Sequence, residues 1–498
     1  MPGELPKVVQ FLTKELEFPL RQRDSDLGYE FYLVDLADWK LRLSDRTPFI
    51  RIEARHLEMV PQPELLASLR TLMRRHHFER RVPVLLLEGL APGLSNALRS
   101  NFPYSVVIDQ ADAERVAASS NSDRLILNFI CAQLPLISLA PYEISSPVTG
   151  SRFFGREYEI RTVLNHPDTD YVIVGVRRIG KSSLLLELKR RMTEIGDDDV
   201  YFFDCSDFHN TDDYIRAVAT VVDIRQRRRM TFAKFPNFLR VKSYQGKRPM
   251  TFLLDEVDHL IQFDRQQNWA LLNTLRSSAN QGFCRYILTG YREAVRESLN
   301  DRAPLYNFVT SLRLGNLSRE ETRRLVTVPL ENLGVSFERH GELIGQIFQQ
   351  TAGHPNFVQF YCYSLVQLMD RKGQRQVGPD DLALIHGDQE FERYVFRTFT
   401  ANTTDLEKAV VYGLVLEGGK SFATRDVDVA LKKRKVFARA DEIDDACDNL
   451  RMAGILDKQG QRFSFAIPIL SRLLRDHYDV EHLFIKAKED GRLGHDRL

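Results

Sequence analysis

Cysteine is scarce in this 498-residue chain, and nowhere is it paired. Cys131, Cys205, Cys284, Cys362 and Cys447 are odd in number and far apart, with no CxxC and no Cys/His cluster. That excludes a disulfide scaffold and a legible zinc knuckle, and fits reduced thiols in a cytoplasmic protein. Net charge is missing too. Lys+Arg number 69 and Asp+Glu 68, leaving +1, so no global field draws the chain to nucleic acid or membrane and any such affinity must come from a local patch. The N-terminus, MPGELPKVVQ, lacks a basic stretch followed by an apolar run, so no secretion signal is expected. The longest apolar run, Leu125 to Tyr142, is interrupted by Asn128, Gln133, Pro135 and Ser138. A spanning helix needs about 20 mostly apolar residues, so a buried helix and a linker are expected there and no membrane contact. Internal repeats and low-complexity tracts are absent as well.

What is present is an ordinary globular composition, 43% hydrophobic and 28% charged, in a chain long enough for two to four domains of roughly 100–200 residues. Residues 1–140 read as an α/β unit: apolar runs at Phe31–Leu36, Phe49–Glu53, Val82–Glu88 and Tyr104–Asp109 alternate with helical patterns at Pro63–His77 and Ala111–Ser119. The Pro-, Ser- and Gly-bearing stretch over 141–157 reads as a linker. Over 158–317 strands are expected at Tyr171–Gly175, Val200–Cys205, Met250–Asp255, Arg285–Thr289 and Ser311–Leu314. They are apolar enough for a parallel sheet covered on both faces. Residues 318–400 read as a helical lid without strands. Over 401–498, three helices (Asp405–Leu416, Thr424–Lys433, Asp441–Ala453) and a hairpin turning at Gly460 spell a winged helix-turn-helix.

The strongest chemical signal is Gly175-Val-Arg-Arg178-Ile-Gly180-Lys181-Ser182, a GxxxxGK[ST] run between the apolar YVIV and the helical KSSLLLELKRRM. In that setting the glycines let backbone N–H groups turn toward phosphates, and the helix start at Lys181, Ser182 and Ser183 adds its positive dipole end. Lys181 then reaches the β/γ-phosphates and the Ser182 hydroxyl ligates Mg²⁺. Arg178 lies in the same loop. The buried run MTFLL ends in Asp255-Glu256, which supplies a carboxylate for Mg²⁺ (Asp255) and a general base for the attacking water (Glu256). Asp258 and His259 read as helix-cap and surface residues. At the end of the next strand, Thr289 and Arg292 are placed to sense the γ-phosphate, Arg292 through its fixed guanidinium. Arg296 and Arg302 lie nearby.

The series FFGRE (Phe153–Glu157), GVRRIGKSSLL, LLDEVD, LTGYRE, LGNLSREET and TAGHPNFVQ resembles prokaryotic STAND-type ATPases. These are signal-transduction P-loop NTPases related to AAA+ proteins, to archaeal ATPases and to the nucleotide-binding module of NLR-type receptors. The resemblance spans about 145–480. It implies an AAA+-like sheet that binds ATP or ADP with Mg²⁺ and hydrolyses it slowly as a switch, with nucleotide-dependent homo-oligomerisation. It also implies that 141–157 is an adenine-side segment as well as a linker, with Phe154, Gly155 and Arg156 lining the adenine side, that Gly353 and Pro355 close over the base from the lid, and that the winged helix is a hinge arm. His354 reads as structural. No repeat array follows the winged helix, so the sensor or effector role, and an unknown protein partner, fall to the N-terminal unit. Asp38 with Glu53-Ala54-Arg55 faintly resembles a nuclease carboxylate pair, but lacks the usual lysine. The alternatives are a DNA-acting AAA+ ATPase, origin-recognition-like or a transposition helper, and an adaptor that holds nucleotide without hydrolysing it.

DNA is not the favoured partner. Residues 224–249 carry nine Arg and Lys, no acid, and interleaved Phe232, Phe235, Phe238 and Tyr244, a pattern seen in nucleic-acid patches. It reads better as an amphipathic helix burying Phe232, Phe235 and Leu239. The third helix of the winged unit, which would enter a major groove, is acidic (Asp441, Glu442, Asp444, Asp445, Asp448), and Lys432 to Lys435 would contact a backbone or pair with that helix.

Overall fold

In the computed structural model, residues 5–43, 46–53, 60–89, 93–119, 121–196, 199–227, 230–246 and 249–493 are described. The first sheet has strands β1 (Leu20–Asp26), β2 (Tyr29–Val34), β3 (Thr47–Ile52), β4 (Val84–Leu87) and β5 (Val106–Ile108), lying side by side in chain order. β1 to β3 pair antiparallel and β3 to β5 parallel. The apolar runs named from sequence supply β2 to β5. β1, LRQRDSD, is an exposed edge strand with no hydrophobic alternation to announce it; charge on an edge blocks further strand pairing. Residues alternate across the sheet. Phe31, Leu33, Ile50 and Leu85 pack under the helices Gln62–Arg75 and Leu94–Asn101. Tyr32, Val34, Phe49 and Leu86 face the other way, into a core continuous with the lid.

Asp38 and Glu53 do not meet. Val34 at the end of β2 pairs with Thr47 at the start of β3, whereas Glu53 follows its end, which puts the two carboxylates a six-residue strand apart, about 20 Å. Ala54 and Arg55 lie outside the described residues.

The second sheet is fully parallel. Its strands are β6 (Tyr171–Val174), β7 (Val200–Asp204), β8 (Met250–Asp255), β9 (Cys284–Gly290) and β10 (Thr310–Arg313), in spatial order β10-β6-β9-β8-β7. β6, β8 and β9 are buried along their whole length, which their continuous apolar runs anticipate. The order inserts β9 between the strand leading into the phosphate loop and the strand ending in Asp255. Between β7 and β8 the basic stretch forms a helix, Phe235–Gly246, burying Phe235, Phe238, Leu239 and Ser243. The amphipathic reading therefore holds at Phe235 and Leu239, while Phe232 is half-buried in a preceding turn. Arg228, Arg229, Lys247 and Arg248 lie outside the described residues.

The lid comprises helices Arg319–Asn332, His340–Thr351, Pro355–Lys372, Pro379–His386 and Gln389–Asn402. It also holds two short parallel strands that were not expected, β11 (Ser336–Phe337) and β12 (Gln376–Val377). Helices Asp405–Glu417, Thr424–Lys433 and Ala440–Met452 follow, then the antiparallel hairpin β13 (Leu456–Gln459) and β14 (Arg462–Phe465), and two further helices, Pro468–His477 and Val480–Asp490. The five thiols are free and buried. No helix among the described residues is long and apolar enough to cross a membrane.

The stretch over 141–157 is packed against the lid at its start. Tyr142 is buried, as are Leu139 and Ala140 just before the stretch, and the Tyr142 hydroxyl donates to the Val326 carbonyl at 3.2 Å. The short helix Leu136–Leu139 is capped from the lid: Leu136 and Ile137 donate their N–H groups to the two Asp370 carboxylate oxygens at 2.8 and 2.9 Å. Asp370→Ala strands both donors at a cost of about 1–3 kcal/mol. It is expected to lower the melting temperature and to speed proteolysis between residues 133 and 142, read by mass spectrometry of the first cleavage products.

Candidate functional site

A cavity of about 330 Å³ opens where the phosphate loop, the lid and residues 143–156 converge. Its walls include Ile144, Phe154, Arg156 and Pro355 on one side and Arg178, Gly180, Lys181, Ser182, Ser183 and Glu256 on the other. Sequence-predicted base-side and phosphate-side residues thus share one pocket. Gly180 has φ +101°, a conformation open to glycine, and it starts the helix Lys181–Glu194 pointing its free N–H groups at the cavity. At Gly175 the constraint is space, since an added Cβ would stand 2.8 Å from the Leu314 carbonyl oxygen. Arg178 and Glu256, neither a glycine, have φ of +68° and +50°. Strained backbone of this kind persists where the surrounding fold over-determines it.

Lys181 is 3% exposed and donates to the carbonyls of Gly175 (2.9 Å) and Val176 (3.1 Å), with Glu256 4.0 Å away. Burial lowers the lysine's pKa, opposed by the Glu256 charge. Burial also raises that of Glu256 above the ordinary carboxylate value, opposed by Lys181. Behind them the inserted β9 brings the Thr289 hydroxyl onto Asp255, and the Glu256 N–H onto Thr289 Oγ1 at 3.3 Å. Asp255 and Thr289 are buried and stand behind the cavity wall. The Ser182 hydroxyl and the Asp255 carboxylate are hard oxygen donors, the chemistry that suits Mg²⁺. Asp258 is committed elsewhere: its carboxylate accepts the N–H groups of Tyr291 and Glu293, both at 2.7 Å, capping the helix Arg292–Leu299.

Other expected contacts are placed differently. Arg292 is not brought to the cavity. Its guanidinium makes a two-toothed pair with Glu407 (2.7 and 2.6 Å) and donates to the Asn402 carbonyl at 2.9 Å. Arg156 lines the cavity but spends its donors on structure, bonding the carbonyls of Ile179 (3.2 Å) and Gly315 (2.6 Å). Gly155 and Gly353 lie behind the wall. Gly155 packs on Glu321, and a Cβ on Gly353 would come within 2.4 Å of the Leu317 carbonyl oxygen. Ser183 accepts the Val148 N–H at 3.0 Å. Residues 143–148 fall in the adenine-side segment but were not singled out from sequence, and Asn356 and Gln359 were unforeseen. The available signal was the spacing of Tyr142, Ile144 and Val148, overshadowed by the prolines and serines around them.

Half of the chain, residues 135–385, matches the family described as Novel STAND NTPase 1. The chain belongs to that family. A comparison with curated protein sequences finds no match. Among solved structures, this STAND NTPase is similar to a Walker-type ATPase of Pyrococcus abyssi, at 14% identity and TM-score 0.49, over 67% of this chain and 99% of that one. It is also similar to the ORC2 protein of Aeropyrum pernix, solved as ADPNP–ADP complexes, at 16% and 0.48, over 68% and 92%. The Holliday junction branch migration motor RuvB of Thermotoga maritima matches at 12% and 0.38, over 65% and 96%.

His354, between Gly353 and Pro355, is buried and stacks on Phe357 at 4.3 Å; its Nδ1 has no hydrogen-bond partner among the described residues. Burial, with Arg156 and Arg178 adding to it, pushes its pKa down to about 3. In the unfolded chain a histidine titrates near 6.5. Above that pH neither state is protonated and nothing is lost. As the pH falls below about 6.5 the unfolded state gains a proton that the folded state refuses, so stability falls by about 1.4 kcal/mol per pH unit. Urea melts between pH 7.5 and 5 are expected to show a steeper loss of stability in the native chain than in His354→Gln, the difference approaching this slope.

Proposed function

We propose that this STAND NTPase is a slow ATPase that works as a switch, its nucleotide state deciding whether the lid and the C-terminal unit stay clamped on the phosphate loop. The observation that carries the reading is a seam between that loop and residues 394–407. Arg177 donates its N–H to Asn402 Oδ1 at 2.9 Å. Arg178 bonds Thr398 at 3.4 Å and lies 4.9 Å over the Tyr394 ring. Arg292, at the end of β9, holds Glu407, whose side chain is 3% exposed. Anionic phosphates in the loop would compete for Arg178 and shift the balance of this seam.

Within the cavity, Phe154, Ile144 and Pro355 offer an apolar berth for the base, and Lys181 with the loop N–H groups takes the β/γ-phosphates. Ser182 and Asp255 would hold Mg²⁺, which when bound neutralises charge developing on the phosphate oxygens. Glu256, its pKa raised by burial, accepts the proton of the attacking water, and Thr289 orients Asp255 behind it. Arg292 belongs to the seam in this reading, in place of the γ-phosphate contact expected from sequence. We read the three helices and hairpin over 405–465 as a winged helix acting as the hinge arm. Reading of a DNA groove by its third helix is not part of the proposal. That helix exposes Asp441, Asp444, Asp445 and Asp448, and Lys432, Lys433 and Arg434 are paired with Asp428 and Glu417.

By calorimetry Lys181→Ala is expected to lose ATP binding while melting as a folded chain. Glu256→Gln keeps ATP binding and slows turnover about 100-fold or more; wild-type turnover would remove it as the base. Glu407→Gln, which preserves shape but removes the charge facing Arg292, is expected to speed release of a fluorescent ADP several-fold. It should also change the ATP-dependent mass seen by size-exclusion with light scattering. If ADP release and mass both stay unaltered, the seam does not gate the nucleotide and the switch reading fails.

A further inference from the structure

A second cavity, about 450 Å³, lies on the ATPase core away from the nucleotide pocket, between the helix Phe235–Gly246 and the helix Ala270–Asn280. A recess of that volume has room for a base with its sugar. Its lining sets the hydrogen-bonding side chains of Asn237, Arg240, Asn273, Ser277 and Gln281 beside the apolar Pro236 and Phe283. Side-chain amides both donate and accept, which suits the mixed edges of an unpaired base. Beside Phe283, at 5.7 Å and edge-on, stands Tyr244, 70% exposed and so open to stacking.

The charge around the groove is one-sided. In a chain of nearly equal acids and bases, residues 224–254 and 266–292, which carry the two walls, contain no Asp or Glu at all. Arg225, Arg227, Lys234 and Arg240, all in the first of these stretches, are exposed, and Arg240 lines the groove. Asp223 reaches in from the preceding helix to pair with Lys242 at 2.8 Å, and Asp199 lies at the far end, near Gly246. Walls whose two stretches carry bases and no acid suit an anionic partner. A duplex hides its base edges from a recess between two helices, whereas a single strand can turn one base in, stack another on the tyrosine and run its phosphates along the arginines.

We propose that the groove between Asn237, Arg240, Asn273 and Gln281, with Tyr244 at its rim, binds single-stranded nucleic acid. The site is separate from the nucleotide pocket and does not rest on the switch reading. The test is anisotropy of fluorescein-labelled 12-residue ssDNA, 12-residue ssRNA and the corresponding 12-base-pair duplex with the full chain, at 50 and 200 mM salt, with polyglutamate as competitor. Single strands are expected to bind more tightly than the duplex, and the logarithm of affinity to fall by about 0.7 per contacted phosphate for each decade of salt. The DNA and RNA arms show whether a 2′-hydroxyl matters. Tyr244→Ala should weaken binding about tenfold, and Arg240→Gln should weaken it and flatten the salt slope. Both are surface changes, checked by unchanged ATP binding. Absence of binding at 50 mM salt overturns the proposal. So does a Tyr244→Ala chain that binds like the native one, or displacement by polyglutamate at equal charge, which would mark a plain polyanion or acidic-protein surface.

Discussion

A buried guanidinium under the phosphate loop is the contact on which core, loop and lid converge. Arg156 is 5% exposed, and burial lowers its pKa although the charge stays. Removing a charge from water is tolerable only where its donors are met. Here they are met by the Ile179 carbonyl of the loop, the Gly315 carbonyl at the exit of β10, and Glu159 at 3.5 Å. The Arg156 N–H goes to Glu321, which at the same time closes the capping box of the first lid helix with Ser318. One residue thus fixes the loop's height over the sheet, the path out of β10 and the angle at which the lid begins.

The parallel sheet and its reactive ends were legible because they are local. A strand buried on both faces reads as a continuous apolar run, and a phosphate loop is a contiguous string. Asp255 and Glu256 follow such a run directly, and Thr289 sits near the end of another. Arg292 shows the limit. Its position at the strand end was readable, but its partner Glu407 is 115 residues further on and carries no mark other than its place in a capping box. The strand β1 was invisible for the opposite reason, since an exposed edge has no apolar face to alternate.

Composition said little about how the 141–157 stretch packs. Prolines and serines ordinarily mean solvent, yet here they give an extended chain whose N–H groups are met by side chains: Glu143 by Gln359, Val148 by Ser183 and Gly150 by Glu187. An extended segment satisfied in this way can serve as a wall. On its outer side Lys40 of the N-terminal unit stands 5.9 Å from the Phe154 ring, so the aromatic wall of the cavity is shared between the two units.

The core running from the first sheet into the lid has a consequence for how the molecule comes apart. Tyr32, Phe49, Val84, Ile126 and Ile130 belong to the same apolar cluster as Leu325, Val358 and Leu365. A gene fragment ending at residue 140 would bring the side of that cluster that meets the lid into water, and one beginning there would expose the lid's matching face. Neighbouring units that share buried surface lose it together. Heating should therefore give one calorimetric peak spanning both units, and during synthesis the first 140 residues must wait for the lid to emerge before they can settle.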